Sequence, residues 1–463
     1  MTKSVPYSLS LEKRQIDNKK LYSPVFAFWI FAFLLLPITM IAQNNTEEKY
    51  QLTLSEAIQL AKHQNQSVQA ANIEETAVDE DRKDVYKNAL PNINAGSSYQ
   101  RFSNLTLFTD GLSHSTSGAR KPSPNSANLG VDVSFNIYNG GKQKALQNEQ
   151  NSRLKLAKLN TLDTSGNVAF QTASEYLELL RLNELQKFIL DQLKRAQVRL
   201  DNINSLYKNQ KVTKSDVLRA QVILSNVELS LQQNQNDIGI TNQKLIVLID
   251  LPDSVHLSPI DSAGIQKPEI NSLLPLIERT ENSSFSIQKS AESIELQRTK
   301  VKIVQSNNMP SVIFFSAYGL NYPNYLFFPP VDQAYSIGFV GLKMQYNISS
   351  IYQNKNKLNA AKIRVKELEL LQKEQIHIIN SQIKAYYIKY EEALNRISVN
   401  EKSVEQAKVN YRIVNTKYLN QLALLTDLLD ADNLYQESRL NLVKAQTDAL
   451  TIYYHILYTS GNL

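Results

Sequence analysis

The sequence predicts a mainly α-helical protein with a small β part, and two observations lead to this prediction. Gly and Pro number only 13 and 14 among 463 residues, so long uninterrupted helices are expected. Between Lys142 and Ile238 the only helix breaker is Gly166, and residues 342–460 contain neither Gly nor Pro. A helix over 142–207 would be about 100 Å long, which indicates a coiled coil or an element that bridges a wide gap.

The amino terminus predicts export from the cytoplasm. A basic segment precedes the apolar run 25–41, which is followed by the small residue Ala42 and the polar Gln43. This order is typical of a secretory signal peptide, here residues 1–42, although a run of 17 residues is also near the lower length of a membrane anchor. Export of a chain without cysteine suits a periplasmic or outer-membrane protein.

The chain contains a two-fold internal repeat. Tyr207–Gln221 (YKNQKVTKSDVLRAQ) and Tyr418–Asp432 (YLNQLALLTDLLDAD) share Tyr, Asn, Gln, Asp, Leu and Ala at one constant offset of 211 residues. We therefore predict a first structural repeat over 43–252, a linker over 253–268 and a second structural repeat over 269–463. Each repeat is expected to hold a helix, a strand pair and a long helical hairpin.

The repeated segments continue into matching heptad patterns. Eight of ten positions in each set are apolar or aromatic over some thirty residues, which predicts that both helices pack as coiled coils. The first set is Val217, Ala220, Leu224, Val227, Leu231, Asn234, Ile238, Thr241, Leu245 and Leu248. The second set is Leu428, Ala431, Tyr435, Ser438, Leu442, Ala445, Ala449, Ile452, Ile456 and Thr459.

Four strands are predicted, two in each repeat. Residues 129–138 alternate between apolar and polar side chains, and 335–348 is the counterpart in the second repeat. The first strand of each pair is expected near 94–105 and 311–320. Such strands fit either a small soluble sheet or a transmembrane β-barrel with one face toward lipid. The signal peptide favours the barrel.

The strand count then requires self-association. Four strands cannot close a barrel, and lipid does not tolerate an open sheet edge. Two chains would supply eight strands and three would supply twelve, and only a wider barrel keeps an open lumen.

Composition offers no catalytic residue, cofactor site or metal site. The sequence has no Cys and five scattered His residues, and it lacks a phosphate-binding loop, a dinucleotide fingerprint and a nucleophile elbow. The formal net charge is +6, and removal of residues 1–42, with five basic and two acidic residues, leaves about +3, which is too mild to indicate nucleic-acid binding.

Three motifs carry a resemblance to the TolC-like outer membrane efflux proteins. They are the strand-to-helix junction IYNGGK at 137–142 and the turns KSDVLRAQ at 214–221 and LTDLLDAD at 425–432. The resemblance implies a homotrimer in which four strands per chain form a shared twelve-stranded transmembrane β-barrel, continued through the periplasm by an α-helical barrel.

In function, the resemblance implies an outer-membrane exit duct, extending into the periplasm, of a tripartite efflux pump or a type I secretion system. Its partners would be outer-membrane lipid, a periplasmic adaptor and an inner-membrane transporter. The alternative is a periplasmic coiled-coil adaptor or scaffold that forms no channel, although one hairpin flanked by β-rich domains would be expected for an adaptor.

The resemblance also implies the residues of a periplasmic aperture. Asp427 and Asp430 match the aspartates that narrow the tip, and Tyr418 matches a tyrosine that ties neighbouring hairpins together. Ser215 and Asp216 match its partner region in the first repeat. Aspartates that converge on an axis attract and select cations.

The turns also depart from the family pattern and allow structural alternatives. Gln210 and Gln421 stand where the family has glycine, and Ala423 replaces a basic residue of the closing network. Asp216 also fits a helix-capping role, and Asp427 also fits a favourable charge at a helix start.

Overall fold

The computed structural model of the chain describes residues 49–103, 111–112, 123–261, 270, 272–326, 331–420 and 422–463. The predicted signal peptide 1–42 lies outside these residues, as do Gln421 and the stretch 262–269, which includes the end of the predicted linker. The described part is mainly helical with a small strand portion, which confirms the predicted fold class.

Both halves of the described chain contain the same order of helices and strands. The strands are β1 Lys49–Leu52, β2 Asn92–Arg101, β3 Asn125–Asn139, β4 His256–Pro259, β5 Ser311–Tyr322 and β6 Tyr335–Gln345. The helices are α1 Leu54–Gln64, α2 Gln66–Lys87, α3 Lys142–Lys208, α4 Lys214–Ile249, α5 Leu273–Ser283, α6 Phe285–Ser306, α7 Ser350–Gln353, α8 Lys355–Leu419 and α9 Leu425–Thr459. The order α1, α2, β2, β3, α3, α4 recurs as α5, α6, β5, β6, α8, α9, and the two-repeat organisation remains our interpretation of this order.

Two helices dominate the length of the molecule. Helix α3 has 67 residues and helix α8 has 65, so each is about 100 Å long. The single glycine within α3, Gly166, does not interrupt the helix. Side chains of two neighbouring helices pack against it. A Cβ at Gly166 would lie 3.3 Å from Cδ2 of Tyr458 and 3.6 Å from Cε2 of Phe285. Glycine therefore allows α9 and α6 to approach α3 closely.

Each long helix packs against the helix that follows it, forming the hairpins α3–α4 and α8–α9. All twenty predicted heptad positions in α4 and α9 are buried or half-buried. Val217 and Ala220, for example, pack with Ile203 of α3 in one apolar cluster, which Leu425 of α9 extends toward the second hairpin. The structure confirms the predicted coiled-coil pairing.

The single helix expected at the start of each repeat is in both cases two helices, α1 and α2 in the first repeat and α5 and α6 in the second. Asn65 and Ser284 lie between the two helices of each pair, with extended ψ angles of 128° and 122°. Asn65 Oδ1 accepts a hydrogen bond from the Ser67 backbone N–H at 2.9 Å, so its side chain starts the second helix. Asn65 and Ser284 are both buried, so tertiary packing fixes a bend that the hydrophobic pattern does not reveal.

The four predicted strands form one antiparallel sheet in the order β2-β3-β5-β6, and the central β3–β5 pair joins the two halves of the chain. One face of the sheet is largely apolar on all four strands. In β3, β5 and β6 it carries Val131, Tyr318 and Leu342, all of them exposed. The opposite face carries polar groups in the first half, where Asn94 Nδ2 donates a hydrogen bond to Asp132 Oδ2 at 3.0 Å.

A second, two-stranded parallel sheet pairs β1 with β4. Strand β4 lies inside the predicted linker 253–268, where no strand was expected. The buried Tyr176 of α3 holds this sheet, because its hydroxyl donates to the Leu52 carbonyl oxygen at 2.8 Å and also lies 2.7 Å from Asp261 Oδ2. Among the described residues, no helix combines the length and apolarity needed to cross a membrane.

Candidate functional site at the hairpin turns

The two hairpin turns have the same backbone closure. The Lys211 N–H donates to the Leu206 carbonyl oxygen at 2.9 Å, and the Leu422 N–H donates to the Lys417 carbonyl oxygen at 2.8 Å. In the first turn Gln210 has φ 54°, which is the left-handed conformation that glycine adopts most easily. The backbone therefore keeps the glycine-type turn, although glutamine stands at this position.

Ser215 and Asp216 lie in the first turn of α4. Asp216 forms a capping box with Thr213: its Oδ2 accepts from the Thr213 N–H at 2.9 Å, and its own N–H donates to Thr213 Oγ1 at 3.3 Å. Hydrogen bonds from the Thr213 side chain and backbone lower the pKa of Asp216. The capping alternative for Asp216 is thus observed, whereas Ser215 is exposed.

Asp427 and Asp430 are both exposed on the first turns of α9. Their separation of three residues places them on neighbouring positions of one helix face. Asp427 Oδ2 also accepts a hydrogen bond from the Leu424 N–H at 2.9 Å, which stabilises the start of α9. Within one chain, two carboxylates are therefore presented to solvent beside the second turn.

Tyr418 is half-buried at the end of α8 and lines an open groove of about 320 Å³. Arg195 and Arg199 of α3 and Leu428 of α9 line the same groove. Burial raises the pKa of Tyr418, the positive charge of Arg199 opposes this rise, and the negative charge of Asp216 adds to it. Within one chain, Tyr418 thus lies in electrostatic range of Arg199 and Asp216, and the contact with Arg199 was not predicted from the sequence. Ala423 has no polar side chain to add to these contacts.

A buried ion-pair cluster lies above the second turn. Asp432 of α9 is 3% exposed, and its two carboxylate oxygens lie 3.2 Å from Arg195 Nε and 3.1 Å from Arg199 Nη2. Burial disfavours the charged form of Arg195, but Asp432 and Asp191 outweigh this effect and raise its pKa. The cluster joins α3 of the first hairpin to α9 of the second.

Two further groups extend this cluster. Asp191 pairs with Arg195 and lies 3.7 Å from Arg439 Nη1, whose guanidinium carbon is 3.9 Å from the ring centre of Phe188. We call Asp191, Arg195, Arg199, Asp432 and Arg439 the α3–α9 charge cluster. Sequence reasoning missed it, although Arg195 and Arg199, one helical turn apart, form a basic pair on one face of α3.

No group of three or more His, Cys, Asp or Glu residues in the described part of the chain has the arrangement of a metal site. The carboxylates of one chain near the turns therefore do not form a metal site by themselves.

Comparison with known proteins identifies this architecture. Residues 57–249 match the family model described as outer membrane efflux protein, and no curated protein matches the sequence. The fold is similar to the outer-membrane channel OprN, with a TM-score of 0.74 and 15% identity over 89% of this chain and 90% of that one.

Two further structures agree over similar lengths. The outer membrane protein VceC from Vibrio cholerae gives a TM-score of 0.71 and 17% identity over 88% of this chain and 96% of its own. The open state of the MtrE outer membrane channel from Neisseria gonorrhoeae gives a TM-score of 0.71 and 15% identity, over 89% of each chain. The predicted resemblance is confirmed: residues 57–249 match the outer membrane efflux protein family, and the described chain has the fold of TolC-like outer-membrane channels.

Proposed function

We propose that the chain is the exit duct of a tripartite efflux pump or a type I secretion system, and that it works as a homotrimer. The observation that carries this proposal is the open sheet. Edge strands β2 and β6 each pair on one side only, and hydrocarbon leaves no solvent for their free backbone groups. Additional strands must cover both edges in the membrane.

The strand directions allow copies of the same chain to supply that cover. Because β2-β3-β5-β6 is antiparallel throughout, β2 and β6 run in opposite directions. Strand β6 of one copy can therefore pair antiparallel with β2 of the next copy. Three copies would give a barrel of twelve strands, a number that rests on the family resemblance.

The two faces of the sheet support this arrangement. We assign the face with Val131, Tyr318 and Leu342 to lipid, because these large apolar side chains are exposed within one chain. The face with Asn94 and Asp132 would then line the lumen. Helices α3 and α8, each about 100 Å long, would continue the duct across the periplasm toward an adaptor and an inner-membrane transporter.

We further propose that the hairpin turns gate the duct. Asp427 and Asp430 from three copies would form a ring of carboxylates that selects cations, with Tyr418 and Ser215–Asp216 at the contacts between hairpins. The α3–α9 charge cluster would hold the second hairpin against the first, because displacing α9 from α3 would leave buried charges without their partners.

Cysteine cross-linking tests the shared barrel, and the chain contains no native cysteine that would interfere. Within one chain β2 and β6 are three strand spacings apart, about 14 Å, so a disulfide cannot join them. Ser98→Cys combined in turn with Ile337→Cys, Phe339→Cys or Lys343→Cys should yield covalent dimers and trimers with at least one pair. Ser98→Cys alone is the matched control.

Planar-bilayer recording provides the functional measurement. The purified protein should migrate as a heat-modifiable trimer and conduct ions after insertion. A protein that stays in single copies, dissolves without detergent and forms no intermolecular disulfide would overturn the proposal.

A further inference from the structure

All charged residues at the four junctions between the four-stranded sheet and the helices α2, α3, α6 and α8 are lysines. The junction segments 85–92, 136–148, 300–312 and 346–357 contain no Asp, Glu or Arg. Their seven lysines are Lys87, Lys142, Lys144, Lys300, Lys302, Lys355 and Lys357. We call them the junction lysines. The whole chain has 44 acidic and 50 basic residues, so its charges are nearly balanced. The four junctions, in contrast, carry positive charge only.

The junction lysines are available for a ligand of opposite charge. All seven are exposed, and none forms an ion pair with another residue in the part of the chain that the structure describes. Acidic residues return about one to three helical turns farther from the sheet, at Asp84, Glu149, Glu295 and Glu367. Along α3 the interval from Lys142 to Glu149 is about 10 Å, which is long enough to cross a lipid headgroup layer of about 5–8 Å.

The four junctions form one continuous surface. Helix α3 packs against α2 and α6, and α6 packs against α8. Gly140, at φ 68°, permits the close contact of α3 with the end of α6, because a Cβ there would lie 2.5 Å from the Ser306 carbonyl oxygen. Across the same surface Asn354 Nδ2 donates to Asn308 Oδ1 at 3.0 Å. These contacts place the ends of the helices at one level.

Lysines from two different helices meet in one open depression. Lys144 of α3 and Lys302 of α6 line a cleft of about 310 Å³ together with Asn148, Gln305 and Gly141. Two ammonium groups beside polar amides suit a monovalent phosphate, for which lysine acts as a mobile point charge.

A girdle of exposed apolar and aromatic residues lies on the sheet side of the lysines or among them. It includes Leu90, Tyr138, Met309, Ile348 and Tyr352, of which Ile348 and Tyr352 are each 69% exposed. Aromatic side chains beside lysines are the pattern of a membrane–water interface, where rings lie at the headgroup level and ammonium groups reach into water.

From this charge distribution we propose that the junction lysines bind the anionic headgroups of phospholipids in the periplasmic leaflet of the outer membrane. The proposal rests on the placement of the sheet in the membrane. A lipid surface is favoured over an acidic protein because the lysines occur at all four junctions and follow the apolar girdle. Each lysine near an anionic bilayer is expected to raise the affinity about fivefold.

Native mass spectrometry of the trimer with added phosphatidylglycerol or phosphatidylethanolamine tests the proposal. The junction variant combines Lys142→Gln, Lys144→Gln, Lys302→Gln and Lys355→Gln. The matched control removes the same charge from exposed positions of α8 far from the sheet, by Lys384→Gln, Lys389→Gln, Lys402→Gln and Lys408→Gln. We expect the unaltered protein and the control to prefer phosphatidylglycerol, and the junction variant to lose at least tenfold in affinity for it.

Salt dependence of the unaltered protein gives a second measurement that needs no variant. Phosphatidylglycerol binding should weaken when the salt concentration rises from 50 to 500 mM, because salt screens the attraction between lysine and the lipid headgroup.

Equal binding of both lipids by an intact trimer would overturn this inference and leave the proposed function standing. Phosphatidylglycerol binding by the junction variant equal to that of the unaltered protein would do the same. Loss of adaptor binding in the variant, with lipid binding unchanged, would identify an acidic protein as the occupant and also overturn it. A protein that forms no trimer would instead contradict the proposed function.

Discussion

Asp432 Oδ2 and Arg199 Nη2 lie 3.1 Å apart although their residues are separated by 233 positions in sequence. Both side chains are largely buried, at 4% and 10% exposure, so solvent screens their attraction only weakly. This pair connects α9 of the second hairpin to α3 of the first near the turns. In the proposed gate, it is the latch: the contact that must break before the hairpins separate.

Replacing Asp432 tests this latch. Asp432→Asn leaves Arg195 and Arg199 without their shared carboxylate, and we expect a loss of about 3 kcal/mol in the free energy of unfolding. The hairpins should also separate more easily, so single-channel conductance should rise. Chemical denaturation in detergent and planar-bilayer recording measure the two effects. Asp430→Asn, at an exposed position of the same helix, is the control and should unfold like the unaltered protein. Unchanged stability and conductance of Asp432→Asn would show that the cluster does not hold the hairpins together.

The exposed aspartates make a separate prediction about selectivity. Asp427→Asn combined with Asp430→Asn should remove the carboxylate ring, lower the preference for cations and raise the Mg²⁺ concentration that halves the conductance at least tenfold. Reversal potentials and divalent titration in planar bilayers measure these effects. Glu401→Gln combined with Glu437→Gln removes the same charge from exposed positions away from the turn. If both double variants behave alike, Asp427 and Asp430 are not the constriction.

Gln210 permits a test of backbone strain at the first turn. Its φ of 54° costs a residue with a Cβ about 1–2 kcal/mol, which glycine avoids at the expense of a more flexible unfolded chain. We therefore expect Gln210→Gly to stabilise the protein by about 0.5 kcal/mol, and the β-branched Gln210→Val to destabilise it. Lys158→Gly, at an exposed position inside α3, should instead cost about 1 kcal/mol. Denaturant midpoints that rank Gln210→Gly below the unaltered protein would contradict this reading of the turn.

Local sequence signals predicted the long elements well. Helix α3 was predicted over 142–207 and is observed over Lys142–Lys208, because Gly140 and Gly141 precede it and the repeated turn motif that begins at Tyr207 ends it. The heptad pattern placed the packed face of α4 and α9 correctly, since that face depends on neighbouring positions along one helix.

Features that depend on tertiary contacts were not predictable from local signals. The bend at Asn65 and strand β4 within the expected linker exist because distant segments pack there. At the candidate site, the pattern located the turns and their acidic residues. It did not reveal Asp432 as buried, because its partners Arg195 and Arg199 lie on another hairpin and no local periodicity links them.

The half-buried His455 of α9 gives a prediction for pH. Its ring stacks between Phe170 and Tyr386, with ring centres 4.4 and 4.2 Å apart, and burial lowers its pKa below the usual 6.5. Between its folded-state pKa and 6.5 the unfolded chain binds more protons than the folded one at this site. The free energy of unfolding should therefore fall as the pH drops below about 6.5 and stop changing from this cause below the folded-state pKa. Thermal unfolding from pH 7.5 to 5 should show this loss, and His455→Phe should reduce it. The exposed His377→Phe is the control and should retain the original pH dependence. An identical pH profile for His455→Phe and the unaltered protein would mean that other groups cause the acid sensitivity.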